Sequence, residues 1–356
     1  MLHHYRRGVF TALDEDGRID VTFASDIRGR DGIAVMDPRE LRRHVRTRSH
    51  RSGALEWQSG VIRLLLRRRY DGVVLLGDVS TLSTWVASLI ARSRRMRVHF
   101  WTIGWHRPET GLKRRIRLAF YRLAHQLLLY GSTARDIGLD MGFPARRMRV
   151  IGNSVEQMTA PEELRTLRIP SKEPGELWVG AVIRLSAVKR LDLLVSAAAE
   201  LVAQGSRVRV VLVGAGPMRD ELTRQARSQS VRMDVIDPVY GAEALGAVYE
   251  RLDITVVPAA AGLTAIQSMS FGVPVVSDDA PYAQMPEWEA IVPGRTGELY
   301  AAGDPHSLAQ AIDRLASRLA DDREPVASAC RHEAATRWSV RSHADRITEA
   351  LLDRQG

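Results

Sequence analysis

Short apolar runs alternate with amphipathic stretches through the second half of the chain, and this alternation restricts the possible folds more than any other feature. Runs rich in β-branched residues predict five strands, at 177–183, 207–213, 233–236, 252–257 and 273–276. After the first run, apolar residues recur on one helical face over 191–201. Strands separated by helices form a parallel sheet that is covered on both faces. We therefore predict an α/β protein.

The first half of the chain alternates in the same way. Its predicted strands lie at 19–24, 72–76, 98–102, 127–130 and 148–151, and residues 1–10 already resemble a helix. Either a first strand is absent, or the native start lies upstream. The predicted organisation is an N-terminal domain over 1–155, a Pro-containing linker over 156–176, a second domain over 177–335, and a C-terminal segment over 336–356 with a helix at 340–352.

Two cations follow the first strand of the second domain. Arg184 and Lys189 stand five residues apart, between that strand and the next helix. A guanidinium fork and a point-like ammonium at the carboxyl end of a strand can clamp a diphosphate. Two solvated loop cations are the alternative, because most charged side chains are exposed.

The loops after the next two strands carry further candidate residues. Gly214 and Gly216 allow a sharp turn or a close approach to a ligand, and Asp237-Pro238-Val239 follows the third strand. NAD binding is not supported, because a dinucleotide fingerprint needs a third glycine where position 219 is arginine. Ligands in parallel sheets bind at the carboxyl ends of the strands, so these loops are expected to lie together.

A helix is predicted to begin at Leu263 and to stop at Gly272. The loop before it ends at Gly262, and the first amides of the helix, those of Leu263 and Thr264, point back toward that loop. Such a helix start is an anion site by its geometry. Together with Arg184, it gives the second domain the parts of a pocket for a phosphorylated ligand.

These motifs, in this order, resemble the donor domain of the GT-B glycosyltransferases of retaining family 4. The resemblance rests on the Arg-x4-Lys pair, a Val-Gly-x-Gly-Pro turn over 213–217, the stretch over 262–276 and a Gly-x-Thr-Gly turn over 294–297. It is close over about 120 residues. It implies two Rossmann-like doubly wound domains that face each other across a cleft, with a C-terminal helix over 336–356 that returns to the N-terminal domain. It also implies a nucleotide diphosphate sugar as donor, and no cofactor or metal, since the cations hold the diphosphate.

The chain departs from the family pattern beside the expected sugar. The family's Glu-x7-Glu pair falls on Ala259 and Gln267. Gln267 can still hydrogen-bond a ribose hydroxyl, whereas Ala259 has no polar group. A family histidine falls on Ile103, followed by Gly104 and Trp105 on the expected acceptor side.

His106, three residues after Ile103, is therefore the third candidate catalytic residue, with Arg184 and Lys189; the alternative is a loop histidine without a role. The resemblance implies a retaining glycosyltransferase that acts on a glycan or lipid-linked acceptor in cell-surface polysaccharide synthesis. The altered positions leave a second hypothesis, a catalytically impaired binding or regulatory partner of another glycosyltransferase.

The two halves of the chain differ strongly in charge. Residues 1–150 contain 29 Lys and Arg against 14 Asp and Glu, whereas residues 151–356 contain 22 against 28. A basic amphipathic helix is predicted over 112–128, with Ile116, Phe120, Leu123 and Leu127 on one side. Such a helix can lie on an anionic membrane, although an ordinary surface helix shows the same pattern. No nucleic-acid-binding motif is present, so nucleic acid is not expected as a partner.

The remaining features of the composition bear on where in the cell the protein is expected. The single Cys330 excludes an intrachain disulfide, and no apolar run reaches the length of a membrane-spanning helix. No signal peptide is recognisable at the N-terminus. The expectation is a cytoplasmic protein that can lie at the inner face of the membrane.

Overall fold

The computed structural model describes residues 2–28, 35–155, 169–239 and 241–353. The chain divides into two compact units: unit 1 comprises 1–156 with 339–356, and unit 2 comprises 157–338. Each unit contains one main parallel sheet, of four strands in unit 1 and six in unit 2, which confirms the α/β class. Within the described ranges, no helix combines the length and apolar character needed to cross a membrane.

Unit 1 is built on a sheet whose strand order, β5-β6-β7-β8, follows the chain. Its strands are β1 (Phe23–Ser25), β2 (His44–Arg46), β3 (Arg48–Ser52), β4 (Leu55–Ser59), β5 (Gly72–Leu76), β6 (Arg97–Thr102), β7 (Gln126–Leu129) and β8 (Met148–Val150). Its helices are α1 (Arg7–Glu15), α2 (Val61–Arg67), α3 (Leu82–Ser93), α4 (Gly111–Tyr121), α5 (Ser132–Asp140) and α12 (Val340–Leu352).

The central strands of this sheet bury both faces. Val98 and Phe100 of β6 belong to a core formed with α2 to α5, and Trp101 belongs to a second core formed with α1 and α12. The right-handed connections of consecutive parallel strands explain why α3, α4 and α5 share one face. The helix predicted at 340–352 has the predicted bounds and packs against α1.

Several local predictions in unit 1 need correction. The helix predicted over 112–128 ends at Tyr121, and Leu127 lies in β7, because a strand between β6 and β8 buries it completely. The helix predicted over 1–10 begins at Arg7 and continues to Glu15. The strand predicted over 19–24 is the short β1, which pairs with β2 outside the main sheet. The hairpin of β3 and β4 lies in the basic region and was not predicted.

Unit 2 contains a wholly parallel sheet with the order β11-β10-β9-β12-β13-β14. Its strands are β9 (Leu177–Val182), β10 (Val208–Val213), β11 (Arg232–Ile236), β12 (Ile254–Val257), β13 (Val275–Asp278) and β14 (Gly297–Tyr300). Its helices are α6 (Leu191–Ala203), α7 (Arg219–Ser228), α8 (Ala242–Tyr249), α9 (Leu263–Ser270), α10 (Pro305–Asp321) and α11 (Arg323–Arg337). The sheet confirms the five predicted strands and adds β14, which was not predicted and begins at the last residue of the predicted turn over 294–297.

The predicted linker lies largely outside the described residues, since the description resumes at residue 169. From there the chain leads into β9, the central strand. Lys172 and the backbone of Trp178 both bond to the buried Asp253 at the start of β12. This carboxylate holds the entry of unit 2 against the strand that pairs with β9.

Candidate functional site

The strand order of unit 2 creates a crevice at one place. From β9 the chain moves outward through β10 and β11 on one side, and then returns to β12 on the other side of β9. The loops that leave β9 and β12 therefore diverge, and ligands in such sheets bind at this switch point. Arg184 and Lys189 follow β9, and the loop at 259–262 follows β12. The topology thus brings these predicted residues to one edge.

Lys189 connects the two diverging loops. It ends a short 3-10 helix over Ala187–Lys189, and its Nζ donates to the carbonyl oxygen of Ala260 at 2.5 Å. Burial lowers the pKa of Lys189, and the negative charge of the buried Glu287 opposes that effect. The ammonium is held at the base of the crevice.

Arg184 is placed differently. Its side chain is exposed at the carboxyl end of β9, and within the described part of the chain no hydrogen bond or ion pair engages it. By contrast, Arg190 on the same loop pairs with Asp192 at 3.0 Å. Arg184 is therefore the cation of this loop whose guanidinium is available to an incoming anion.

The start of α9 provides backbone donors. Gly262 is the residue before the helix, and no side chain caps it. The first amides of the helix, at Leu263 and Thr264, thus retain the donor capacity of a helix N-terminus. Met285 and Glu287 lie beside Gly262, at 3.6 Å and 3.8 Å from the position that a Cβ at residue 262 would take.

Polar residues outside the predicted motifs hold the loop at 258–262. Gln284 accepts from the amide of Ala261 at 2.6 Å and donates to the buried Asp278 at 2.8 Å. Burial raises the pKa of Asp278. The hydroxyl of Tyr300 donates to the carbonyl of Pro258 at 2.7 Å. No spacing rule links these positions to the loop, because tertiary packing alone brings them there.

Gln267 lies on the first turns of α9 and is half-buried. Its Oε1 accepts from the hydroxyl of Tyr249 at 3.3 Å, and the Tyr249 ring stacks on Phe271 at 4.9 Å. The amide is thereby oriented, and its nitrogen is the group that remains to donate to a ligand. Ala259 is half-buried and brings no polar side chain to the loop.

Gly214 and Gly216 have a packing role. A Cβ on Gly214 would lie 2.0 Å from the carbonyl oxygen of Ile183, and one on Gly216 would lie 2.1 Å from that of Leu185. The turn is therefore packed against the exit of β9, where Leu185 donates to the carbonyl of Ala215 at 3.0 Å. These glycines position the loop that carries Arg184.

The loop after β11 is only partly available to a ligand. Asp237 is exposed and pairs with Arg219 at 2.7 Å, and Pro238 is half-buried. Val239 is buried in the core formed with α8. Of the three predicted residues, Asp237 is the one that presents a polar group to solvent.

In unit 1, the predicted acceptor-side residues divide between core and surface. Ile103 packs on the core formed with α1 and α12, and Trp105 is 2 % exposed and packs edge-on against Tyr121 at 4.8 Å. Gly104 has φ +83°, and a Cβ there would lie 2.8 Å from Leu129. Trp105 is thus a core residue, and the acceptor-side role of this segment stays a prediction.

His106 is the exposed member of this segment. Partial desolvation lowers the pKa of His106, and the positive charge of Arg117 lowers it further. The imidazole is therefore favoured in its neutral form, which can accept or donate one proton.

Comparison with known proteins agrees with this architecture. Residues 174–318 match the family model described as "Glycosyl transferases group 1". This segment contains all six strands of unit 2 together with Arg184, Lys189 and α9, so the similarity to this family lies in unit 2.

Curated relatives align over part of their length. The chain is 31 % identical over 190 residues to a D-inositol 3-phosphate glycosyltransferase of Rhodococcus erythropolis, covering 50 % of this chain and 41 % of the relative. It is 28 % identical over 185 residues to a GDP-mannose-dependent alpha-(1-6)-phosphatidylinositol monomannoside mannosyltransferase of Mycolicibacterium smegmatis, covering 48 % and 47 %. The chain thus spans less than half the length of these relatives.

Solved structures resemble the chain over more of its length. A glycosyltransferase of Rickettsia africae has a TM-score of 0.73 at 15 % identity, covering 98 % of this chain and 95 % of the other. The Anabaena protein HepE, solved in complex with UDP, has a TM-score of 0.64 at 20 % identity, covering 82 % and 81 %. At such identities the likeness concerns the fold, and that fold is GT-B-like.

Proposed function

We propose that the protein is a retaining glycosyltransferase that moves a sugar from a nucleotide diphosphate sugar to a glycan or lipid-linked acceptor. The observation that carries the proposal is the convergence of Arg184, Lys189 and the uncapped start of α9 at the switch point of the unit 2 sheet. Two cations and a helix N-terminus at one edge favour a diphosphate over any neutral ligand.

In this proposal each group has a separate task. Arg184 and the amides of Leu263 and Thr264 bind the diphosphate oxygens, and Lys189 places its charge behind them while it holds Ala260. Gln267 donates to a ribose hydroxyl. The loop at Asp237 flanks the base.

In the proposed transfer reaction, negative charge develops on the leaving diphosphate. The bond between the anomeric carbon and the diphosphate oxygen breaks, and the leaving diphosphate takes the electron pair. The acceptor hydroxyl forms the new bond on the same face of the sugar, and its proton passes to a phosphate oxygen. Cations beside the diphosphate stabilise the charge that develops on it in the transition state. No side chain is needed as a nucleophile, so Ala259 does not prevent the reaction.

The sugar side of the site favours a second candidate, a binding or regulatory partner that retains the fold without turnover. Ala259 has no polar group, Gln267 is neutral, and Ile103 packs in a core. The three positions together remove the ionisable groups that the family resemblance places near the sugar. Such a protein would keep nucleotide binding and lose transfer.

The acceptor is proposed from the relatives and the charge of unit 1. One relative is named for an inositol phosphate acceptor and another for a phosphatidylinositol mannoside. Residues 1–150 have an excess of 15 positive charges. An anionic, lipid-linked acceptor at the inner face of a membrane fits both observations.

Calorimetric titration tests the donor site. UDP, GDP, ADP and dTDP are titrated into the wild-type protein, Arg184→Ala, and the control Arg224→Ala, which removes an exposed arginine from α7. We expect one nucleotide to bind, with an affinity that falls at least about tenfold in Arg184→Ala and is unchanged in the control. Binding by none of the four nucleotides would overturn the donor site, and binding without sugar transfer would favour the second candidate.

A further inference from the structure

Exposed large apolar side chains are distributed unevenly between the units. Of the fifteen such side chains among the described residues, thirteen belong to unit 1 and only Val188 and Tyr282 to unit 2. Unit 1 is also the strongly basic part of the chain. Excess positive charge and exposed apolar groups on the same unit are unusual for a surface that faces only water.

The outer side of α3 is apolar. Leu82, Val86 and Leu89 follow one another at helical spacing and are 42 %, 37 % and 57 % exposed. The opposite side of the helix, with Ala87 and Ala91, is completely buried against the sheet. A helix that is apolar on both sides is normally covered on both, so this outer side lacks its expected cover within the described chain.

The neighbouring helix α4 continues the same surface. Leu112 and Ile116 are 71 % and 42 % exposed and stand one turn apart. The rings of Trp85 on α3 and Phe120 on α4 lie 4.8 Å apart, which shows that the two helices are neighbours. Because both helices lie on one face of the unit 1 sheet, their exposed leucines point out of the same helical layer.

Cations border these apolar rows. Lys113 and Arg117 of α4 pair with Glu109, which precedes the helix, whereas the other arginines of α3 and α4 have no acidic partner among the described residues. Arg92 at the end of α3 donates to the carbonyl of Leu123, and Arg114 of α4 donates to the carbonyl of Met141. Carbonyl partners leave the charge of both guanidinium groups uncompensated. Arg115 of α4 is exposed, and neither α3 nor α4 contains an aspartate or glutamate.

We propose that the outer face of α3 and α4 is the surface by which this protein lies on an anionic lipid bilayer. The leucines enter the boundary between headgroups and acyl chains, and the arginines remain at the lipid phosphates. A bilayer is favoured over a partner protein because the cations of both helices flank the apolar rows. The proposal rests on the membrane-bound acceptor proposed above, and it assigns the contact with that membrane to unit 1.

Vesicle co-sedimentation tests the surface. Wild-type protein is expected to sediment with vesicles of phosphatidylcholine and phosphatidylglycerol, less with phosphatidylcholine alone, and less as salt rises. The double variant Leu89→Asp/Leu112→Asp should bind about tenfold more weakly. The control is Leu352→Asp, which changes a leucine that is 46 % exposed on α12, the helix on the other side of the sheet; it should bind like the wild type.

Three results would overturn the proposal. One is the absence of wild-type binding to any vesicle, and another is equal binding by the double variant and the control. The third is a wild-type dimer in light scattering that the double variant converts to a monomer, since the surface would then join two copies of the chain. Nucleotide titration keeps the two proposals apart: the double variant must retain its donor affinity, and Arg184→Ala must retain vesicle binding.

Discussion

The Nζ of Lys189 and the carbonyl oxygen of Ala260 lie 2.5 Å apart, which joins the loop after β9 to the loop after β12 across the switch point of the sheet. Lys189 thus has a structural role in addition to its proposed contact with a diphosphate. It fixes the backbone that leads to the first amides of α9. In the proposed donor site, the same ammonium group serves both anion binding and placement of the loop.

Lys189→Met should therefore weaken nucleotide binding by two routes, loss of the charge and release of the loop. A hydrogen bond from a charged group contributes about 1.5–3 kcal/mol, so the affinity should fall roughly 10- to 150-fold. Calorimetry measures the change, with Arg224→Ala as the control for loss of a cation on this unit. An unchanged affinity would show that neither the charge of Lys189 nor its bond to the loop contributes to nucleotide binding.

Ala260→Gly should stabilise unit 2. Ala260 has φ +53°, a left-handed conformation that costs a residue with a Cβ about 1–2 kcal/mol, and relief of this strain outweighs the chain-entropy cost of glycine, about 0.5–1 kcal/mol. The matched control is Ala259→Gly, which has no such strain and should destabilise by about 0.5–1 kcal/mol. Urea unfolding measures both. The same sign of change for the two variants would contradict the argument.

Gln267→Leu should lower nucleotide affinity by about 1 kcal/mol, or roughly fivefold, because it removes the amide proposed to hold the ribose. Tyr249→Phe is the control: it removes the hydroxyl that orients Gln267, keeps the ring stacked on Phe271, and should change affinity by less than about twofold. Calorimetry measures the affinity of both variants and the wild type for the nucleotide that binds the wild type. Equal affinity of Gln267→Leu and wild type would remove Gln267 from the site.

Gly214→Ala should destabilise unit 2 by at least about 3 kcal/mol, because a Cβ would meet the carbonyl oxygen of Ile183 at 2.0 Å and neither backbone segment can yield. Gly246→Ala is the control within helix α8, where the nearest atom is 3.6 Å away and alanine should stabilise by up to about 1 kcal/mol. Thermal unfolding compares them. A Gly214→Ala protein as stable as the wild type would favour a ligand role for this turn.

Unit 1 should lose stability in mild acid. Burial lowers the pKa of His99 to about 4 and that of His343 to about 3, from 6.5 in the unfolded chain. The unfolded state therefore binds more protons below pH 6.5, and stability falls by about 1.4 kcal/mol per pH unit for each histidine as the pH approaches 4. Urea unfolding between about pH 7 and about pH 5 measures this slope, which should be shallower in His99→Leu. An equal slope would place the proton uptake elsewhere.

The alternation of strands and helices was predictable because β-branched runs and helical periodicity are local signals. The Arg184 and Lys189 pair and the start of α9 were predictable for the same reason, since each follows a strand. The end of α4 at Tyr121 was not, because the apolar pattern continues into β7 without a glycine or proline. Burial between two strands decides that boundary, and burial is a property of the whole fold.

The residues that hold the site loop in place were also not predictable from the sequence. Gln284 and Tyr300 reach the loop at 258–261 from positions more than twenty residues away, and only the packing of β13 and β14 brings them there. Trp105, which the family resemblance places on the acceptor side, is buried in the core of unit 1, and the local sequence did not predict that burial.

Unit 1 is formed from two separate stretches of the chain, at its beginning and at its end, and this sets the order in which the two units can complete folding during synthesis. His343, Ile347 and Ala350 of α12 complete the core around Trp101 and Leu128, yet they are synthesised only after all of unit 2. Until α12 is synthesised, one apolar face of the unit 1 sheet stays exposed, whereas unit 2 can fold completely because its sequence is contiguous. The part that is made first is therefore the part that is finished last, and nascent chains are most vulnerable to aggregation through that open side.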